Sequence, residues 1–590
     1  MSADSWIALL VLIGTIGVLV TDRFPPVVVL GGAVGVLLFA DVIEPDLALS
    51  GLSSPAPATI AALYVLAGAA TATGTFATVV DRALERRRAL PTLAASTAAL
   101  SAVVPNTPLI AMFAPRVVRW SQRTGNDASR FLLPLSFASI LGGVITLIGT
   151  STNLVVSDLL EQSGAEPFDV LEITVVGLPV AAVGIVLLST VGVRLLPQRT
   201  AVARDLSRRA REFQMAARVE AGGPLVGRTI ADSGLRNLDG AFLALIERPG
   251  VEDGQATSLA ASPDTVLEAG DVCCFVGDVA RVIDLHDVAG LEATERFHLL
   301  DAEGAGTLVF EAVISPTSRL VGQSLRSADF RRRYRGAVMA VHRSDGALGG
   351  QIGRIPLRAG DVLLVLAEES FGYTYRGDAD FSLVAAVDAA PPVRQTRAWL
   401  VVAATLAVVV VAATGWLSLF EAALLGAGAV VVGGAVTLRE GWRAINLNVV
   451  LTMAAAISLG AGVSQSGLAG EIASLVEQTD RLGFGDVGLV VVVMVATLVL
   501  TELLTNTAAA AVMLPVALSV AAEAGAEPRM LAVAVLIGAS CSFLSPVGYQ
   551  TNLMVYGLGG YRFGDFTRVG APLTIATIVT SAAITPLAFG

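Results

Sequence analysis

Residues 501–515 read TELLTNTAAAAVMLP, a run of membrane-grade apolarity with an acid and an Asn-Thr pair near its centre. In hydrocarbon a buried amide, hydroxyl or carboxylate is costly unless it binds something, so Glu502, Thr505, Asn506 and Thr507 ask for partners. Four hundred residues earlier, Pro105-Asn106-Thr107 opens a similar run that reaches Pro115. Asn106 to Pro115 and Asn506 to Pro515 are both nine residues apart. A second phrase follows each copy: GTSTNL at 149–154 and GYQTNL at 548–553. Asn153 lies 47 residues after Asn106, and Asn552 lies 46 after Asn506. A Gly-x-Pro comes next in both, at Gly177-Leu178-Pro179 and Gly570-Ala571-Pro572. Different motifs recurring in one order at nearly one spacing mean that half of a transporter-like membrane unit is duplicated.

Composition agrees. The 590 residues are 54% hydrophobic and 15% charged, against about 25% charged in soluble proteins, and the mean hydropathy is +0.72. This predicts a polytopic membrane protein. The net charge of −11 resides mostly in soluble parts and gives no reason to expect a nucleic-acid partner. There is no Lys, which excludes Schiff-base chemistry and a Walker lysine. Cys273, Cys274 and Cys541 lack zinc-site spacing. His286, His298 and His342 all fall in the soluble part, so no histidine relay crosses the membrane. No nucleophile–base set suggests an enzyme, and no TVGYG-like run suggests a K⁺ channel. Residues 1–4 carry no basic cluster, so the first apolar run reads as a retained span.

Four regions are expected: a first membrane half (1–199), two soluble domains (200–298 and 299–393) and a second membrane half (394–590). In the first half, apolar runs at 6–20, 25–40 and 58–80 precede the basic stretch 81–88. The run 89–114 is flanked on both sides by arginines, so it enters and leaves on one face as a re-entrant hairpin turning at Asn106. Residues 131–160 exceed the roughly 20 of one span and read as a span broken at 149–153. The run 171–193 completes five crossings and one hairpin. Runs at 398–414, 417–438 and 444–463 repeat the first three spans, an acidic stretch follows at 471–486, and a second hairpin and broken span come after it.

Eight arginines (82, 86, 87, 88, 116, 119, 123 and 130) flank the first hairpin. The second is flanked by acids and by Arg481 and Arg529 alone. The first hairpin should open to the cytoplasm and the second to the outside. An odd number of crossings per half inverts the second copy, the architecture of alternating access. The fold class expected is therefore an all-α polytopic membrane protein, an inverted repeat with an α+β cytoplasmic insert, multi-pass in the cell membrane.

In the insert, LVGRT at 225–229 precedes Gly270-Asp271-Val272, and LVGQS at 320–324 precedes Gly360-Asp361-Val362. Gly-Asp pairs before apolar strands are turn chemistry. These two units resemble the TrkA-C (RCK-C) domains of potassium-uptake regulators. The resemblance implies either binding of a small regulator or a rigid assembly module without a ligand. The Arg-rich segment 204–211 reads as a juxtamembrane linker.

Two tips and two broken spans should meet at mid-membrane. They offer amides and hydroxyls: Asn106, Thr107, Thr150, Ser151, Thr152, Asn153, Thr505, Asn506, Thr507, Gln550, Thr551 and Asn552, with Gly149 and Gly548 freeing backbone. Carbonyls at half-helix ends suit Na⁺, and N–H groups at half-helix starts suit an anion. Glu502 either hydrogen-bonds within the hairpin, lends field to a cation or takes a proton.

These motifs resemble the divalent anion/sodium symporter family. Its hairpin signature Ser-Asn-Thr is similar to Pro105-Asn106-Thr107 and Thr505-Asn506-Thr507, and its broken-span signature Gly-Thr-Pro-Pro-Asn to Gly149–Asn153 and Gly548–Asn552 in looser form. The resemblance implies a lipid-embedded homodimer with an elevator-like movement. It implies Na⁺ as coupling ion, held at Asn106 with Gly149, Thr150, Ser151, Thr152 and Asn153, and at Asn506 with Gly548, Gln550, Thr551 and Asn552. The substrate, a small divalent anion, would lie between Asn106, Thr107, Thr505, Asn506 and Thr507. Pro105 in place of the signature Ser removes a hydroxyl and favours a compact oxyanion such as sulfate over a C4-dicarboxylate. A substrate sensor that signals through the insert is the alternative.

Overall fold

The computed structural model describes residues 2–20, 24–197, 214–235, 241–248, 257–261, 264–277, 290–293, 307–315, 318–343, 346–347, 352–368, 370–375, 378–386, 397–468, 470–471 and 485–590. The domain boundaries near 199, 298 and 393, the linker 204–211, His286, His298 and most of the acidic stretch 471–486 lie outside the described residues.

The membrane part is two copies of one helix series. The first runs Ala3–Val20, Pro26–Phe39, Pro45–Ser53, Pro55–Thr73, Ala77–Glu85, Ala89–Ser101, Asn106–Thr124, Ser129–Gly143, Ser151–Gln162 and Thr174–Leu187. The second runs Ala398–Ala413, Leu419–Val432, Leu438–Ala444, Leu447–Gln465, Gly485–Leu503, Asn506–Ala524, Pro528–Ser540, Gln550–Leu558 and Phe563–Phe589. Both hairpins break before an Asn, and both broken spans break where the GTSTNL and GYQTNL phrases predict.

Three details differ from expectation. A short helix, Pro45–Ser53 or Leu438–Ala444, precedes the third span of each half. The run 58–80 stops at Gly74, whose left-handed φ of 60° caps the helix, and Ala77–Glu85 is separate and amphipathic. Pro115 and Pro515 lie inside helices that continue to Thr124 and Ala524. Each proline forfeits one backbone bond, which these long helices tolerate, so Arg116, Arg119 and Arg123 ride on the hairpin helix itself.

The halves point opposite ways. The end of the first broken span connects to the loop of Glu166 and Glu172, which pair with Arg529 beside the second hairpin (3.8 and 2.5 Å). The end of the second broken span, at Gly557, meets the insert instead.

The insert holds two five-stranded antiparallel sheets. The first comprises β1 (Gln214–Val219), β2 (Ala241–Arg248), β3 (Thr257–Ala260), β4 (Val272–Gly277) and β5 (Leu291–Ala293). The second comprises β6 (Thr307–Ile314), β7 (Gly336–Arg343), β8 (Gly346–Ala347), β9 (Val362–Glu368) and β10 (Phe381–Ala386). The orders β3-β2-β4-β1-β5 and β8-β7-β9-β6-β10 are one topology, so the duplication read from the Gly-Asp pairs is real. The structure gives the pairs their reason. Gly270 and Gly360 take φ of 86° and 81°, open only to glycine at low cost. Asp271 accepts from Arg248 Nε and Nη2 (both 3.0 Å) and from the Glu268 amide (2.8 Å). Asp361 accepts from Arg343 Nε (2.8 Å) and Nη2 (2.7 Å) and from the Arg358 amide (2.8 Å). A buried carboxylate bound bidentately to Arg on a neighbouring strand pins each turn.

Candidate functional site

Both tips are built alike. Ser101 Oγ sits between Asn106 Oδ1 and the Ser139 carbonyl (2.8 Å to the latter). Thr501 Oγ1 sits between Asn506 Oδ1 (3.1 Å) and the Ala539 carbonyl (2.8 Å). Each hydroxyl lies five residues before its Asn. Sequence reading passed over Ser101 and Thr501, although a hydroxyl at the same offset in both copies was there to be seen.

Both broken spans are also tied alike. Asn153 Nδ2 donates to the Gly143 and Thr146 carbonyls (2.9 and 2.8 Å). Asn552 Nδ2 donates to the Ser542 and Ser545 carbonyls (3.0 and 3.2 Å). These are acceptors ten and seven residues back in both copies, carbonyls released where each span unwinds. A Cβ at Gly149 would collide with the Gly143 carbonyl, and one at Gly548 would collide with Ser542 Oγ, so both loops need glycine for close approach.

Asn106–Thr124, Ser151–Gln162, Asn506–Ala524 and Gln550–Leu558 all begin at predicted site residues. Their starts border one cavity of about 1870 Å³. Asn106, Thr107, Thr150, Ser151, Thr152, Thr505, Asn506, Thr507, Gly548 and Gln550 line it. Gly149, Asn153, Thr551 and Asn552 are not in its lining; Asn153, Thr551 and Asn552 are buried. Unpaired N–H groups and the positive ends of four helix dipoles favour an anion there without a charged side chain at the tips. Arg116, Arg119 and Arg443 border the same cavity farther out.

The loops also fit a small hard cation. Asn153 Oδ1 is fully buried with no partner among the described residues. In the second loop Asn552 Oδ1 is taken by Ser136 Oγ (2.8 Å), which also lies 2.9 Å from Thr551 Oγ1. Among the described residues, Ser542 Oγ and Glu502 Oε2 there have no hydrogen-bond partner. Glu502 is therefore bound to the broken span and not within its hairpin: its Oε1 accepts the Leu544 amide at 2.9 Å. Oxygen-only sets of this kind suit Na⁺.

Tyr549 was not anticipated. Its hydroxyl accepts from Asn106 Nδ2 at 2.6 Å and lies 3.3 Å from Thr150 Oγ1, so the second loop reaches across to the first tip. Beside it, Thr107 Oγ1 donates to Gln550 Oε1 at 3.3 Å.

A family described as "Citrate transporter" matches residues 9–538, and again 409–590. The chain is 33% identical over 565 residues to the "Putative sulfur deprivation response regulator" of Chlamydomonas reinhardtii, covering 92% of this chain and 95% of that protein. It is 31% identical over 574 residues to the "Uncharacterized transporter sll0640" of Synechocystis, covering 94% and 92%. It is 31% identical over 382 residues to "Sodium/sulfate cotransporter 1" of Chlamydomonas reinhardtii, covering 63% and 43%. Duplicated tips, broken spans and these likenesses converge: the chain belongs to the citrate-transporter family, within the divalent anion/sodium symporter kind of membrane carrier.

Proposed function

We propose that this transporter is a secondary active symporter that couples Na⁺ entry to uptake of a divalent anion, sulfate or a C4-dicarboxylate. The observation that supports it most is the convergence of four helix starts on one cavity, flanked by two loops with open oxygen acceptors. The anion would take N–H groups at the starts of Asn106–Thr124 and Asn506–Ala524, with Thr107, Thr505, Asn506 and Thr507 around it. Na⁺ would sit with Asn153 and Gly149 on one side and with Gly548, Thr551 and Glu502 on the other. Bound Na⁺ offsets the substrate's charge, so the anion binds only when the ions do and leaves when they leave. An inverted repeat lets one bundle slide against the other to expose the site to each face in turn. A homodimer in the cell membrane, with residues 200–393 in the cytoplasm as TrkA-C-like domains that take a small regulator or serve assembly, completes the reading.

Uptake of labelled sulfate and succinate into proteoliposomes, with and without an inward Na⁺ gradient, tests it. Accumulation that requires the gradient is expected. The name of the Chlamydomonas relative supports a second reading, a sensor. A sensor would bind sulfate without accumulating it.

A further inference from the structure

Superposing the phrases on their asparagines pairs Thr150 with Tyr549 and Ser151 with Gln550. The ties of each loop asparagine to its two freed carbonyls are duplicated, but here a phenol stands where the first copy has a small hydroxyl. The Tyr549 hydroxyl takes up the Asn106 amide donor, and Tyr549 borders the cavity. Of the two tip amides, only that of Asn506 is then left for the substrate, beside the threonine hydroxyls and the backbone N–H groups of the two helix starts. We propose that Tyr549 sets substrate choice, excluding extended dicarboxylates and favouring a compact tetrahedral dianion. This rests on the symporter reading. The ring bridges from the second loop to Asn106 and Thr150, so an anion long enough to reach from one loop to the other would meet it, and a side chain in that place discriminates by clash as well as by contact.

Purified full-length chain, Tyr549→Phe and Tyr549→Thr are compared by calorimetric binding of sulfate and of succinate in Na⁺. Wild type should prefer sulfate. Tyr549→Thr, which restores the first loop's residue, should shift the sulfate-to-succinate affinity ratio toward succinate by at least about tenfold. Tyr549→Phe keeps the ring and should keep the preference. An unchanged ratio in a Tyr549→Thr protein that elutes and melts like wild type overturns this proposal alone. So does a wild type that prefers succinate. A wild type that binds neither anion removes the symporter reading as well.

An independent set of contacts concerns the insert. Val313, Val362 and Leu383 of β6, β9 and β10 are buried in the same apolar cluster as the membrane helices. A Cβ at Gly557 would stand 2.5 Å from the Gly360 carbonyl oxygen and 2.7 Å from Val362 Cγ2, so the second sheet is seated directly on helix Gln550–Leu558. Buried Glu311 on β6 faces Arg119 of helix Asn106–Thr124. Both helices start at site residues. Ser315, Ser318, Phe381 and Leu383 of this domain line the same cavity as the helix starts. We infer that the second sheet, β6–β10, forms a gate: seated on the ends of two site-bearing helices, it restrains those helices until released. This too rests on the symporter reading.

Gly557→Leu wedges the contact, and Arg119→Glu sets like charges against each other in a second variant. Hydrogen exchange of 307–386 reports release, and Na⁺-driven sulfate uptake reports the consequence. Raised exchange with an initial uptake rate at least threefold above wild type in either variant is expected. Raised exchange with unchanged or lower uptake overturns the gate, as does unaltered exchange in both variants. A wild type that moves no sulfate sinks gate and symporter together.

Discussion

The first tip and loop and the second are the same backbone device carrying different side chains. In both, a hydroxyl five residues ahead orients the tip asparagine, and a second asparagine ties two freed carbonyls. Three of their differences change what the two sites offer. Ala102 stands where the second copy has Glu502. Asn153 Oδ1 is open where Asn552 Oδ1 is held by Ser136. Thr150 stands where the second copy has Tyr549. The shared part is what keeps an unwound span satisfied in hydrocarbon. The divergent part is free to give the two loops different chemistry: the first proposed cation position has neutral oxygens only, and the second has Glu502 beside it.

If both tips are indispensable, Asn106→Ala and Asn506→Ala should each lower uptake at least about a hundredfold while the protein elutes unchanged, since the first removes a buried amide bonded at both ends and the second removes an amide that borders the cavity. Normal transport in both would end the equivalence of the tips. Next in size is Glu502→Gln, which keeps an acceptor for the Leu544 amide and removes the charge. The Na⁺ concentration for half-maximal uptake should rise about tenfold, whereas Ala102→Ser in the first copy should leave it near wild type. Equal responses would erase the proposed difference.

Glu311 gives a pH effect on the gate. Burial pushes its carboxyl up to about 7, and facing Arg119 pulls the other way. A carboxyl raised in the folded state stabilises the seated sheet most below its ordinary value near 4.5, and that stability is lost as pH rises through about 7. The gap in Tm between wild type and Glu311→Gln should therefore widen by a few degrees from pH 5 to pH 8, with wild type falling. A constant gap contradicts the burial. Smallest is Ser136→Ala, which frees Asn552 Oδ1 and makes the second loop resemble the first, at about 1 kcal/mol of stability measured by thermal unfolding.

Much of this comparison could be read before any coordinates. The Asn-to-Pro and Asn-to-Asn spacings located both tips and both breaks, because unwinding in a membrane demands glycine, amide and hydroxyl at fixed offsets. The Gly-Asp pairs located the duplicated sheets for the same kind of local reason. The apolar run expected to end at 114 continues as helix to Thr124, because a long packed helix absorbs the one bond Pro115 forfeits. Tyr549 reaching Asn106 over 443 positions, and Gly360 seating on Gly557, are choices of tertiary packing that no local pattern announces.

The central claim is that two related halves stand upside down to one another and bring their broken segments together. Thr124 and Ala524 end the two hairpin helices, and both are exposed. In a background free of native cysteines, Thr124→Cys and Ala524→Cys can each be tested with an impermeant thiol reagent applied to intact cells and to inverted vesicles. The account predicts labelling of Ala524→Cys from outside and of Thr124→Cys from the cytoplasmic face. Labelling of both from one face would contradict it.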